Sequence, residues 1–411
     1  MDPRRIVIIA DDLTGAADAG AAFAQAGWQA MIALPPAVVR PRGDVLAIST
    51  ESRYLPRDDA MARVRRAAEW TLGNQTADEM TLVYKKVDST LRGRPGPELA
   101  AVMEATGLER ALVAPAFPAQ GRTTLGGRQS AGGVAVEHTA FGSEVRSSDL
   151  LAVFDDGTHP ARLVELSTVR HGPDHVFQVL NRFGPGIAVA DAETDSDLAT
   201  IAQAARASGV RLLCGSAGLA RALAVMLPDP PDSVRQPPTL PHPYGPVLVV
   251  AGSRQPATAR QVAYAQGRGA ALVRPGRAFL SADRATVKEL AKQVTAYADG
   301  GRDVILSSLG LDDSPLGSQA VADRLAQVAA ELAAGGRIGG LVLTGGDIAA
   351  AVCNALGASI LWLRGETEPG IAWGTLVDGV LPGLAVVTKA GGFGTDTALT
   401  TAIERCRLEQ G

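Results

Sequence analysis

Two carboxylates, Asp11 and Asp12, stand side by side in "IVIIADDLTGAADAG" (Ile6 to Gly20), directly after an apolar run and just before an Ala-rich helical stretch. One Asp in that place would cap the helix by accepting a bond from its first free amides. Adjacent like charges repel unless one of them meets a cation, a proton or a donor-rich ligand, so the pair is a candidate base or acceptor for substrate hydroxyls. A second cluster follows another apolar run: "YKKVDSTLRGRPGPEL" (Tyr84 to Leu99) carries Lys85, Lys86, Asp88, Ser89, Thr90, Arg92 and Arg94. Hydroxyls beside Arg and ahead of a Gly-Pro turn suit a carboxylate ligand, which Arg92 could hold through two parallel hydrogen bonds that Lys cannot copy. "APAFPAQGRTTLGG" (Ala114 to Gly127) brings Gln120 and Arg122 to a third loop of this kind.

The C-terminal half has a different chemistry. "AGSRQPAT", "LTGGDIAAAV" and "TKAGGFGTDTAL" set Ser253, the run Thr344, Gly345, Gly346 and Asp347, and the pair Gly391 and Gly392 between a strand and a helix start. Glycines let backbone amides approach a phosphate, and the helix N-terminus that follows favours negative charge. Three such loops in one domain point to a nucleotide or phosphate site. There is no Walker A pattern, and no GxGxxG follows the first strand. His171 and His175 bracket Gly-Pro, which spoils the helix an i, i+4 zinc pair needs, so no metal site is expected.

The elements that must position these residues alternate short Val/Ile/Leu runs with longer Ala-rich amphipathic stretches. Examples are "IVIIA" (Ile6 to Ala10), "TLVYKK" (Thr81 to Lys86), "VLVVAG" (Val247 to Gly252) and "GLVLTGG" (Gly340 to Gly346), with helices such as Ala60 to Trp70 and Ser318 to Ala334 between runs. The fold class expected is α/β, with mostly parallel sheets flanked by helices. "PDPPDSVRQPPTLPHPYGP" (Pro228 to Pro246) holds eight prolines in nineteen residues. Proline lacks the amide donor and fixes φ, so this stretch reads as a semi-rigid linker between domains at 1–227 and 247–411.

Composition excludes other classes. A formal net charge of −4 with 4% aromatics gives neither the basic footprint nor the stacking platforms of a nucleic-acid binder. No apolar run approaches the roughly eighteen residues that span a bilayer. "MDPRR" opens the chain without a secretory signal, and Cys214, Cys353 and Cys406 are odd in number and widely spaced, so a cytoplasmic protein without disulfides is expected.

"ADDLTGAADAG", "KKVDSTLRG", "APAFPAQGRTT", "TGGDIAAAV" and "GTLVDGVLPGLAVVTKAGGFGTDTAL" together resemble the successive signatures of the four-carbon acid sugar kinase family, in order from Ile6 to about Ile403. The resemblance implies a sugar-acid-binding N-terminal domain, a nucleotide-binding C-terminal domain, and ATP-dependent phosphorylation of the terminal (C4) hydroxyl of a tetronic acid. "APAFPAQGRTTLGG" and "EHTAFGSEVRSSDL" look closer to the D-threonate and D-erythronate kinases than to the 3-oxo-tetronate branch. Ser143 to Asp149 departs from the expected pattern in lacking a proline pair, which bears on specificity.

By the same resemblance, nucleotide contacts fall on Ser253, Thr344 to Asp347, Gly391 and Gly392, and the sugar acid meets Asp12 and Arg92, with Lys86, Asp88 and Ser89 close by. Asp12 would take the proton of the C4 hydroxyl, and Asp11 would steady the turn or help hold a metal. Mg²⁺ would bridge the β and γ phosphates while keeping most of its waters. Lys389 is either a charge near the phosphates or a surface residue. Closure about the linker would exclude water. A homodimer is left open, and neither nucleic acid nor membrane is an expected partner. The rival readings are a sugar-acid isomerase or aldolase, whose paired Asp residues abstract a proton, and a two-lobed sensor that binds without turnover.

Overall fold

The computed structural model describes residues 3–34, 43–72, 81–227, 240–276, 279, 284–309 and 318–410. The chain divides into one unit from its N-terminal half and a second from its C-terminal half, the latter joined by the short strand near residue 31. The stretch expected as a linker lies, up to residue 239, outside the described residues.

In chain order the elements begin β1 (Arg5–Ala10), α1 (Leu13–Gln25), β2 (Ala30–Ala33), β3 (Val45–Ser49), α2 (Arg57–Leu72), β4 (Thr81–Lys86), α3 (Pro95–Thr106) and β5 (Arg110–Ala114). β6 (Arg122–Leu125), β7 (Arg128–Ala131) and β8 (Val134–Ala135) form a small antiparallel sheet of their own. The first unit ends with α4 (Leu150–Phe154), β9 (Ala161–Val164), α5 (Leu166–Arg170), α6 (Pro173–Phe183), β10 (Gly186–Ala190), α7 (Asp195–Ser208), β11 (Leu212–Gly215) and α8 (Ala217–Met226). Its main sheet runs β3-β1-β4-β11-β5-β10-β9, every pair parallel. Ile6 to Ala10 are all inaccessible to solvent. That is why β1 reads as an unbroken apolar run: a parallel strand is covered on both faces, and each buried aliphatic side chain contributes about 1.5–3 kcal/mol.

The second unit contains β12 (Val247–Ala251), α9 (Pro256–Gly267), β13 (Ala271–Val273), α10 (Arg284–Asp299), β14 (Val304–Ser307), α11 (Ser318–Ala334), β15 (Gly340–Thr344), α12 (Gly346–Ala355), β16 (Ile360–Glu368), β17 (Ile371–Leu376), β18 (Ala385–Lys389) and α13 (Ala398–Leu408). Its sheet runs β13-β14-β12-β15-β18 in parallel and continues antiparallel through β17, β16 and β2. The antiparallel edge is not foreseen from the sequence. It follows from the Pro369-Gly370 turn, where Gly370 has φ +82° and closes a hairpin that no crossover helix could.

Both sheets have a point where successive connections leave in opposite directions. In the first unit the chain passes from β1 to one neighbour, β3, and then crosses to the other, β4. In the second it fills β13 and β14 on one side of β12 before crossing to β15. Such switch points leave a crevice beyond the strand carboxyl ends, where ligands of open α/β sheets bind. Asp11 and Asp12 stand at the first, and Ser253 and the Thr344 to Asp347 loop at the second. Among the described residues no helix is long and apolar enough to cross a membrane.

Candidate active site

The cation that the adjacent carboxylates require is Arg53, in the loop after β3. Its Nε donates to Asp11 Oδ2 at 2.7 Å and its Nη2 to Asp11 Oδ1 at 3.0 Å, while its Nη1 donates to Asp12 Oδ2 at 2.7 Å. Asp12 is also the N-cap of α1: Oδ1 accepts from the Gly15 amide at 2.8 Å and Oδ2 from the Thr14 hydroxyl at 2.7 Å. Capping and charge pairing are therefore both present on one residue. Burial pushes the Asp11 carboxyl up, but Arg53, with Lys85 and Lys86 behind it, more than reverses this and holds it below the ordinary carboxylate range.

The Arg53 loop is fastened from below. Ser52 N donates to the Asp11 carbonyl at 3.0 Å, Thr50 Oγ1 to the Ala10 carbonyl at 2.9 Å, and Ser52 Oγ to Glu98 Oε1 at 2.8 Å. The other Glu98 oxygen lies 2.8 Å from Lys85 Nζ in a fully buried ion pair. Burial lowers the Lys85 pKa, but Glu98 and Asp11 outweigh it and raise it. Glu51, just before Ser52, has φ +46°, a left-handed conformation that costs a β-carbon residue about 1–3 kcal/mol and persists only where the surroundings over-determine it.

In the loop after β4, Lys86 is buried and its Nζ donates to the Val87 carbonyl at 2.9 Å. Gly15 makes room for it: a Cβ there would stand 3.1 Å from that nitrogen and 2.7 Å from Asp12 Oδ1. Arg92 does adopt the two-pronged geometry expected of it, but toward Asp88, with Nε to Oδ2 at 2.9 Å and Nη2 to Oδ1 at 3.0 Å. Burial raises the Asp88 pKa, yet Arg92 and Arg53, with bonds from Arg92 and Thr90, hold it well below the ordinary value. Arg92 Nη1 lies 4.0 Å from Glu144, and the guanidinium sits 5.2 Å from the centre of the Phe141 ring. The segment that departs from the family pattern thus reaches this arginine. Burial lowers the Arg122 pKa, with Asp88 opposing and Arg92 reinforcing, so that arginine shares the same field.

Ser89 is buried, and its carbonyl accepts from Gln129 Nε2 at 2.8 Å. Gln129, on β7 and itself fully buried, also reaches the Pro115 carbonyl at 3.4 Å and accepts from the Thr124 hydroxyl. The small sheet thereby pins the loop in which Leu91 is held at φ +62°. Gln129→Leu keeps the volume but strands these polar groups, and is expected to cost about 1–3 kcal/mol in urea denaturation. An unchanged midpoint would show that the small sheet does not hold the loop.

In the second unit three loops meet. Gly345, with φ +102°, caps α12, and a Cβ on it would lie 4.0 Å from Ser253 N. A Cβ on Gly391 would overlap the hydroxyl of Ser253 outright, whereas Gly392 faces open space. Thr344 is fully buried at the end of β15, with no hydrogen-bond partner for its hydroxyl among the described residues. Asp347 lies in the first turn of α12. Backbone stripped of side chains, a stranded hydroxyl and a helix start together fit a phosphate group. Lys389 is no surface residue: it is fully buried, and its Nζ donates to the carbonyls of Ala390, Gly391 and Phe393.

Arg53, Glu98 and Gln129 are absent from the sequence reading. "TESR" follows the short run "VLAIS", and treating the residues after every strand of a parallel sheet as candidates would have included Arg53.

A carboxylate-and-arginine cluster thus stands at one switch point of a two-unit α/β protein, and a set of glycine-rich loops at the other. A model of a sugar-binding N-terminal domain matches residues 6–223, and one of a nucleotide-binding C-terminal domain matches residues 248–399. D-threonate kinase of Salmonella typhimurium is 38% identical over 97% of each chain. D-erythronate kinase of Heliobacterium modesticaldum is 31% identical over 97% of this chain and 96% of its own. 3-oxo-tetronate kinase of Methylobacterium radiotolerans is 30% identical over 88% of this chain and 90% of its own. The fold matches a crystal structure of a Haemophilus influenzae protein with a TM-score of 0.71 at 22% identity, covering 96% of this chain and 98% of that one. The chain belongs to the four-carbon acid sugar kinase family and is a carbohydrate-acid kinase, which sets aside the isomerase, aldolase and sensor readings.

Proposed function

We propose that this kinase transfers the γ-phosphoryl group of ATP to the C4 hydroxyl of D-threonate, with D-erythronate as the next candidate. The observation that carries the reading is the 38% identity to a D-threonate kinase over 97% of both chains. The first unit binds the acid and the second the nucleotide.

Phosphoryl transfer asks little covalent chemistry of a protein; it needs an oriented acceptor and neutralised charge. A carboxylate has about four acceptor sites. Gly15 N, the Thr14 hydroxyl and Arg53 Nη1 engage Asp12, which leaves it able to accept from a substrate hydroxyl and take its proton. Asp11 has both oxygens committed to Arg53, so its role is to hold that guanidinium. Arg92, fixed by Asp88 through Nε and Nη2 and with Nη1 4.0 Å from Glu144, attracts and orients the acid's carboxylate, with Lys86 and Ser89 lining the same loop. Ser253, Thr344 to Asp347, Gly391 and Gly392 hold the polyphosphate. Mg²⁺ on the phosphates would supply further charge neutralisation when bound.

The test is ADP release with ATP and Mg²⁺ over D-threonate, L-threonate, D-erythronate, L-erythronate and 3-oxo-tetronate. The highest kcat/KM is expected with D-threonate. Turnover confined to 3-oxo-tetronate would reassign the substrate, and no acid-dependent turnover would refute the proposal.

A further inference from the structure

Lys389 closes β18, and its ammonium spends all three donors on the segment that follows: the carbonyls of Ala390 at 3.0 Å, Gly391 at 3.1 Å and Phe393 at 3.0 Å. Neighbouring donors act alike. Thr258 Oγ1 also reaches the Gly391 carbonyl at 2.8 Å, and Gln261 Nε2 reaches those of Phe393, Gly394 and Thr395. The carbonyls of Ala390, Gly391, Phe393, Gly394 and Thr395 are thus held by protein donors, while no acceptor among the described residues meets the amides of Gly391 or Gly392. No carboxylate of the described residues pairs with Lys389 at ion-pair distance. A buried charge without a counter-ion is costly, and a neutral donor could have bonded carbonyls more cheaply. The uncompensated charge is what a lysine adds.

We propose that Lys389 is a positioning residue for the nucleotide phosphates: it locks the loop through the carbonyls of Ala390, Gly391 and Phe393, so that the amides of Gly391 and Gly392 are presented to the polyphosphate, and it supplies positive charge beside them. This rests on the reading of the second unit as the ATP-binding half. Burial pushes the Lys389 pKa down to about 8, with Glu368 on β16 pulling the other way. Glu368 is itself engaged by the Thr395 amide and hydroxyl. The neutral amine has two donors and no charge, so ATP affinity is full below this value and falls as the pH rises through it.

The experiment measures Kd for ATP and for inorganic tripolyphosphate by calorimetry between pH 7 and pH 9, on the intact chain and on Lys389→Met. For the wild type, Kd for ATP should rise roughly tenfold over that range, because only the protonated fraction binds well. Lys389→Met should bind both ligands at least roughly tenfold more weakly at pH 7, without the pH dependence. A pH-independent wild-type affinity overturns the proposal, as does a variant that binds ATP like the wild type or loses ATP but not tripolyphosphate. If the variant does not fold, the wild-type pH series decides alone. A wild type that binds neither ligand overturns the nucleotide reading itself, and the proposal with it.

Discussion

Asp12→Asn should lower kcat by roughly 10² to 10⁴, the range expected when a positioned general base is removed. Asparagine caps helices as well as aspartate does, and its carbonyl oxygen can still accept from the Gly15 amide, so the start of α1 should survive. What disappears is the negative charge proposed to accept the C4 proton, and with it half of the anionic pair around Arg53. The KM for the acid should change far less than kcat if, as proposed, the acid's carboxylate is held from the Arg92 side. Asp11→Asn is the control: with both oxygens on Arg53, Asp11 has a smaller part in proton transfer, and its loss should act mainly through the placement of that arginine. Steady-state kinetics at saturating ATP separate the two. An Asp12→Asn enzyme within threefold of wild-type kcat would remove Asp12 from the role of base.

What could be read from the sequence was whatever depends on neighbours along the chain. Apolar runs that β-sheet burial makes continuous, a carboxylate pair at a strand end, and glycines ahead of helix starts are all local signals, and the strands and loops they mark are present. Arg53 was hidden because its meaning is a long-range contact. It lies 42 residues from Asp11, and a charged residue after a five-residue strand looks like any solvated loop until the sheet order places β3 beside β1. Lys389 was ambiguous for the opposite reason: nothing in "TKAGGFG" says whether the side chain turns outward or folds back over its own loop. The antiparallel edge escaped because β16 and β17 pair through a tight turn, and their partly exposed residues break the unbroken apolar pattern by which the parallel strands were recognised.

Arg53→Met tests whether that long-range contact is what permits the adjacent carboxylates. Methionine keeps much of the side chain's volume but leaves Asp11 and Asp12, exposed by 3% and 6%, without the guanidinium between them. Removing one partner of a buried ion pair typically costs about 3–5 kcal/mol, and this arginine serves two. The pH dependence distinguishes charge from packing. In the wild type the Asp11 pKa is depressed, so the stability it contributes is present above its unfolded value of about 3.9 and is lost as the pH falls through the lower folded value. Without Arg53, burial and the neighbouring carboxylate push that pKa up against Lys85 and Lys86 alone, and the sign reverses: the penalty is absent below the unfolded value and grows as the pH rises toward the folded one. Urea denaturation should therefore show a larger deficit at pH 7 than at pH 4.5, and Asp11→Asn in the same background should recover part of it. A deficit equal at both pH values, unrelieved by Asp11→Asn, would mean that Arg53 serves the fold by its bulk, and the reason this chain can keep two carboxylates at the end of β1 would have to be sought in Lys85 and Lys86.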